Sequence, residues 1–146
     1  PFTIVRLDIT KMKVDAIVNA ADTDLAMGGG FAGHFKAAGA QEMQAACDRV
    51  APIKTGEAAI TPGFALSCKY VNHAAGPVYR HWNAEQSEKL LRSAYTESHR
   101  LAVGIAFPLI SSGIYGYPKN DALRVATSAM KCDLYSAYFN GYRENI

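Results

Sequence analysis

The sequence is poor in cysteine: Cys47, Cys68 and Cys132 are all it has, and no C-x-x-C spacing occurs. An odd count without paired spacing argues against a disulfide framework and against a zinc site, and leaves reduced thiols in a cytoplasmic protein as the expectation. Charge is scarce too, at 19% of residues, where about a quarter is usual. A disordered or solvated tail is therefore not indicated. Long apolar runs are missing, since none approaches the ~20 residues that span a bilayer. Charge of one sign barely dominates: 15 basic against 13 acidic residues give +2. Duplex nucleic acid, which demands many phosphate contacts at once, is not an expected partner. A small anion, held by a local field, remains compatible. There is no internal repeat and no low-complexity segment. The chain begins in strand-like sequence (Pro1, Phe2, Thr3, Ile4), from which no signal peptide is expected.

What is present suits one domain over residues 1–146: 49% of residues are apolar, enough for a core at this length. Phe2 to Leu7 and the short apolar run Asp15 to Asn19 read as strands. A helix is expected from about Ala32 to Arg49, rich in Ala, Gln, Glu and Met. Glu57 to Thr61 and Lys69 to His73 read as strands parted by the Pro62-Gly63 turn. A periodic helix follows from about Ala84 to Val103, then a buried strand from Ile105 to Ile110. Asn120 or Asp121 is expected to cap a helix running through Met130, and Leu134 to Phe139 is the last strand. Strands alternating with helices make a layered α/β sheet. The joint at Val103-Gly104 is shorter than the usual ~2–6 residues and the passage from Met130 to Leu134 is abrupt, which suggests that loop residues are lacking at both.

Ligands of α/β sheets bind beyond the carboxyl ends of the strands, so the turns there carry the candidates. Gly28-Gly29-Gly30 precedes a helix, where backbone N–H groups approach a phosphate closely. A flexible turn is the plainer account of a glycine triplet. Ser111-Ser112-Gly113-Ile114-Tyr115-Gly116 directly follows a buried strand and offers a second wall of amides. A serine nucleophile is disfavoured, because no G-x-S-x-G elbow surrounds it. The Walker A spacing is also absent, which disfavours a nucleotide triphosphatase. Asp8 either caps a turn or accepts from an exocyclic amine. Asn19 and Asp22 flank Ala20-Ala21; Asn19 has a structural alternative in pairing with nearby backbone. His73 reads as a hydrogen-bonded core histidine before a catalyst.

Together, R-L-D-I-T-K-M-K-V-D-A-I-V-N-A-A-D (6–22), G-G-G-F-A-G (28–33), T-G-E-A-A-I-T-P-G (55–63), K-Y-V-N-H-A-A-G-P (69–77) and F-P-L-I-S-S-G-I-Y-G-Y-P (107–118) resemble the macrodomain family. The resemblance covers most of the chain, in the family's order. It implies a three-layer α/β/α fold with a central mixed sheet and an ADP-ribose cleft at one end of it. By position, Asp8 would bind the adenine amine with help from the backbone of Ile9, and Phe139 would pack on adenine. Gly29, Gly30, Phe31 and Ala32 would line one loop. Ser111, Ser112, Gly113, Ile114, Tyr115 and Gly116 would wrap the diphosphate, with Tyr115 over the distal ribose. Asn19 and Asp22 would serve catalysis there. Many members hydrolyse ADP-ribose esters, among them ADP-ribosylated acidic side chains, O-acetyl-ADP-ribose and ADP-ribose phosphorylated on the distal ribose. A positioned water attacks, without cofactor or, in the commonest branch, metal. The implied partner is ADP-ribose or an ADP-ribosylated protein, with no membrane association and a monomeric state. The sequence departs from the family's N-A-A-N at Asp22, from V-D-G at Phe31-Ala32-Gly33, and from a usual Gly at Leu7. A non-catalytic reader of ADP-ribose is the alternative these departures imply.

Overall fold

Ala16, Ile17 and Val18 are all fully buried, which consecutive strand residues achieve only when both faces of their sheet are covered. A computed structural model describes residues 2–4, 8–26, 40–101, 104–130 and 137–140, without the side chains of 2–4, 40 and 137–140. Its elements run β1 (Phe2–Ile4), β2 (Ala16–Ala21), α1 (Ala40–Val50), β3 (Ala58–Pro62), β4 (Tyr70–Ala75), α2 (Ala84–Leu101), β5 (Ile105–Pro108), α3 (Lys119–Met130) and β6 (Ala137–Asn140). The strands form one sheet in the order β1-β6-β5-β2-β4-β3. Every neighbouring pair is parallel except β3 with β4. The sheet is thus mixed, as expected.

Alternation along the strands sorts side chains onto two faces. Ala16 and Val18 of β2, Ala74 of β4, and Ile105 and Phe107 of β5 pack with Leu91, Ala94 and Tyr95 of α2 and Val125 and Ala126 of α3. Ile17, Val71 and Ala106 turn the other way, onto Met43 and Cys47 of α1. Helices on both faces make three layers. Burying each large side chain contributes about 1.5–3 kcal/mol, so the two cores rather than local propensity hold the sheet.

Asn72 stands in the middle of this apolar pattern, fully buried. Its Nδ2 donates to the carbonyl of Ser98 at 2.8 Å. Ser98 lies in the last turn of α2, where carbonyls have no partner within the helix. The buried amide caps a helix end that faces the sheet.

Several boundaries differ from the sequence reading by one or two residues, β2 running to Ala21 and β4 to Ala75, and two more bear on the turns. The helix expected to start at Asn120 or Asp121 begins at Lys119. The carbonyl of Pro118 takes the cap position, accepting from Ala122 N–H at 2.8 Å. Asp121 lies in the first turn, where its charge complements the helix dipole. Second, β5 ends at Pro108, because Leu109 to Ser111 already turn away. Gly104, at φ +68, supplies a left-handed turn just before β5. Its carbonyl accepts from Asp15 N–H at 3.1 Å.

Candidate functional site

β2 lies inside the sheet. The chain leaving it passes through α1 to β3 and β4 on one side, while the chain leaving β4 passes through α2 to β5 on the other. Loops that follow β2 and β5 therefore diverge, and a crevice opens at their carboxyl ends. A cleft of ≈ 250 Å³ occupies it, lined among the described residues by Ala20, Ala21 and Asp22 after β2, Gly76 after β4, and Leu109, Ile110, Ser111, Gly113, Ile114 and Tyr115 after β5.

The loop after β5 is closed on itself. Tyr117 N–H donates to Ser111 O at 2.9 Å, Gly116 N–H to Gly113 O at 3.0 Å, and Tyr79 N–H to Tyr115 O at 2.8 Å. Ser112 Oγ donates to Leu109 O at 2.8 Å, so that hydroxyl serves the turn. Ser111 sits at φ +66, a conformation that costs a non-glycine residue about 1 kcal/mol or more. Its Oγ is buried and has no hydrogen-bond partner, a further cost of about 1–3 kcal/mol. No described residue accepts from the amides of Gly113, Ile114 or Tyr115. A run of unpaired amides on the cleft wall suits an anion bearing several oxygen acceptors.

Tyr95 of α2 clamps this loop from behind. Its hydroxyl accepts from Ile110 N–H at 2.9 Å and donates to Pro108 O at 3.2 Å. Burial pushes its pKa up, with the bond from Ile110 pulling the other way, so it stays a neutral hydroxyl. Tyr95→Phe would strand the buried N–H of Ile110. Urea unfolding is expected to show a loss of about 1–3 kcal/mol, and an unchanged midpoint would dismiss the clamp.

At the end of β2, Asn19 is buried and its Nδ2 lies 3.1 Å from His73 Nδ1. His73 Nε2 lies 2.9 Å from Thr61 Oγ1. Burial lowers the His73 pKa from 6.5 to about 4, so the ring is neutral at physiological pH. Asp22 Oδ1 accepts from Ala26 N–H at 3.1 Å. Asp22 is the only charged residue among the described lining residues.

The structure thus brings Asp22, Ser111, Gly113, Ile114 and Tyr115 to one cleft. Asn19 is next to Ala20 of its wall, and Ser112 and Gly116 belong to its loop without lining it. Asp8 caps the short helical turn Ile9–Lys11: its Oδ1 accepts from Thr10 N–H at 3.0 Å and from Thr10 Oγ1 at 2.7 Å. Ile9 is buried in the α1-side core. Neither lines the cleft. Phe139 pairs through its backbone with Ile4 and Phe107. Gly29, Gly30, Phe31 and Ala32 fall outside the described residues. Sequence reasoning missed Gly76 and Tyr95. Gly76-Pro77 follows a strand in sequence, but nothing local tells that the β5 loop presses against it. Tyr95 looks like any apolar-face residue of a periodic helix.

Residues 18–126 match the family model of the Macro domain. A macro domain-containing protein of Chlorobaculum tepidum is 42% identical over 132 residues, covering 87% of this chain and 76% of that protein. The ADP-ribose glycohydrolase MACROD2 of Xenopus laevis is 43% identical over 129 residues, which cover 85% of this chain and 31% of that longer protein. Among solved structures, a mutant Oceanobacillus iheyensis macrodomain with ADPR superposes at TM-score 0.87 and 31% identity, over 98% of this chain and 86% of that one. The Trypanosoma brucei macrodomain in complex with ADP-ribose superposes at TM-score 0.83 and 31% identity, over 99% and 65%.

Proposed function

Because this chain belongs to the macro domain family, we propose that its cleft holds ADP-ribose and that the protein hydrolyses ADP-ribose esters. The observation that carries this reading is the run of unclaimed amides of Gly113, Ile114 and Tyr115 on the wall of the cleft. The diphosphate lies on that loop and supplies the acceptors it lacks. Tyr115 covers the distal ribose, and Gly29, Gly30, Phe31 and Ala32 contribute to ligand binding. Asp8 and the backbone of Ile9, beyond the described walls of the cleft, take the adenine end with Phe139. The ester sits over the end of β2, where the carbonyl oxygen of the Asn19 amide accepts from a ribose hydroxyl. The carboxylate of Asp22, acceptor only when ionised, holds the attacking water. Water adds to the ester; free ADP-ribose leaves as the alcohol, and the acyl or phosphoryl group leaves as its acid. The substrate is an ADP-ribosylated acidic side chain or a small ADP-ribose ester.

Calorimetric titration with ADP-ribose, with AMP as control, tests the binding half. Affinity in the micromolar range, about −8 kcal/mol, with AMP far weaker, supports it. AMP binding as tightly as ADP-ribose would remove the loop after β5 from the site. Release of ADP-ribose from a modified protein tests the chemistry.

A second reading, a reader that binds without turnover, is favoured by the charge of Asp22 in a cleft meant for a dianion. Asp22→Asn separates the two. The amide oxygen still accepts from Ala26 N–H, so the turn survives, while repulsion of the diphosphate is removed. Affinity for ADP-ribose is expected to rise about fivefold, roughly 1 kcal/mol of relieved repulsion. Turnover falls if Asp22 holds the water, whereas turnover that rises identifies a reader with hydrolase ancestry.

No helix among the described residues is long and apolar enough to cross a membrane.

A further inference from the structure

Beneath α1, a row of buried polar groups crosses the sheet from the cleft toward its β3 edge. Asn19 of β2 and His73 of β4 are register partners, and Thr61 of β3 reaches the far side of the ring. Asn19 Nδ2 meets His73 Nδ1 at 3.1 Å, and His73 Nε2 meets Thr61 Oγ1 at 2.9 Å. Thr61 Oγ1 lies 3.1 Å from Met43 Sδ and 3.2 Å from Pro62 O. All three polar residues are buried.

The directions of these bonds are determined by chemistry. An amide NH₂ only donates, so Nδ1 must be the bare nitrogen. The neutral ring then carries its proton on Nε2 and donates to Thr61 Oγ1, whose own proton passes on to Met43 Sδ or Pro62 O. The opposite tautomer would set two donors face to face unless the Asn19 amide turned over. Turning it would exchange its oxygen for its NH₂ on the side away from the ring. As held, Asn19 spends one N–H on His73, and no described residue claims Oδ1.

We propose that His73 is a positioning residue: with its tautomer fixed by Thr61, it holds the Asn19 amide in one orientation and keeps Oδ1 as the acceptor for a ribose hydroxyl of the ligand. This assignment rests on the reading that Asn19 contacts ADP-ribose. It makes the end of β2 selective for a group that donates a hydrogen bond over one that only accepts.

Two His73 substitutions separate positioning from packing. In His73→Asn the side-chain oxygen can stand where Nδ1 stood and still accept from Asn19. In His73→Gln the amide reaches Thr61 but leaves Asn19 Nδ2 without its acceptor. His73→Gln is expected to weaken ADP-ribose binding roughly tenfold, the worth of one ordering hydrogen bond. His73→Asn should recover most of that loss, although both variants lose stability in urea. Long-range ¹H–¹⁵N spectra of the unliganded wild type should show Nε2 protonated and Nδ1 bare. Should His73→Gln not fold, Thr61→Val removes the acceptor for Nε2–H, and the expected results are a mixed tautomer and weaker binding. A ring protonated at Nδ1, or equal binding by the two His73 variants, overturns the assignment. Asn19→Ala tells the two failures apart. If it binds ADP-ribose as wild type does, the reading of the cleft falls and this assignment with it. If it binds weakly while the His73 variants are alike, only the assignment falls.

Discussion

Gly76→Ala is expected to cost at least roughly a hundredfold in ADP-ribose affinity, about 2.7 kcal/mol, while the protein stays folded. A Cβ at this position would lie 2.3 Å from Ser111 Oγ and 2.4 Å from Ile110 Cγ2, well under the 3.0 Å that real Cβ atoms keep. The unpaired Ser111 hydroxyl can rotate aside, but Ile110 Cγ2 cannot. Ile110 is fully buried, and its backbone is tied to the Tyr95 hydroxyl. Ser111 is already held in a left-handed conformation. The loop after β5 must therefore move as a body, taking the amides of residues 113–115 with it. Overpacking of this kind costs about 1–3 kcal/mol, less than the ~5–15 kcal/mol that holds a domain together. A binding site loses far more, because its donors have to meet the ligand to within about half an ångström. Calorimetry and urea unfolding on the same preparation check the two halves. Affinity within about threefold of wild type would mean that the ligand does not lie against the Gly76–Ser111 wall.

What the sequence made legible was whatever is written in runs. Ala16-Ile17-Val18 showed a strand buried on both faces, and the helical period from Ala84 showed α2. The loop after β5 was legible as a site because small residues directly follow a buried strand. Three features were not legible, each because it depends on a distant partner. Asn72 is a polar residue in an otherwise apolar strand, and nothing near it in sequence shows that its amide meets the Ser98 carbonyl at 2.8 Å. Gly76 looked like an ordinary strand end until the β5 loop was found pressed against it. Asn120 and Asp121 both carry capping chemistry, yet the helix starts before them because Pro118 ends the preceding turn and offers its carbonyl. Asp8 shows the reverse: its local role as a cap was one of the two roles the sequence allowed.

His73 gives the chain an acid sensitivity that should be visible in stability well before it is visible in binding. Burial lowers its pKa from 6.5 to about 4. Between those values the unfolded chain takes up a proton that the folded chain refuses. The stability that neutral His73 contributes is therefore fully present above about pH 6.5 and is lost as pH falls toward 4. A gap of this size corresponds to about 3 kcal/mol. The Cys47 thiol beside the ring is pushed up to about 11 by burial and by Asp48, so it stays protonated and adds nothing across this window. Carboxylates elsewhere also titrate toward the lower end, and the comparison must remove them. His73→Asn does so, since it cannot titrate. The variant should be the less stable protein at pH 7, and the difference from wild type should shrink by about 3 kcal/mol on going to pH 4. Parallel stability curves for the two proteins would sink this account of the ring. In the folded wild type the ring remains neutral down to about pH 5, so Nδ1 still accepts from Asn19 there. His73 itself therefore should not lower ADP-ribose affinity between pH 8 and 5, even where the fold has already begun to weaken. Stability that declines ahead of affinity is what a buried neutral histidine behind a binding residue produces. A ring in direct contact with the diphosphate would do the opposite, because protonation would then strengthen binding as the pH fell.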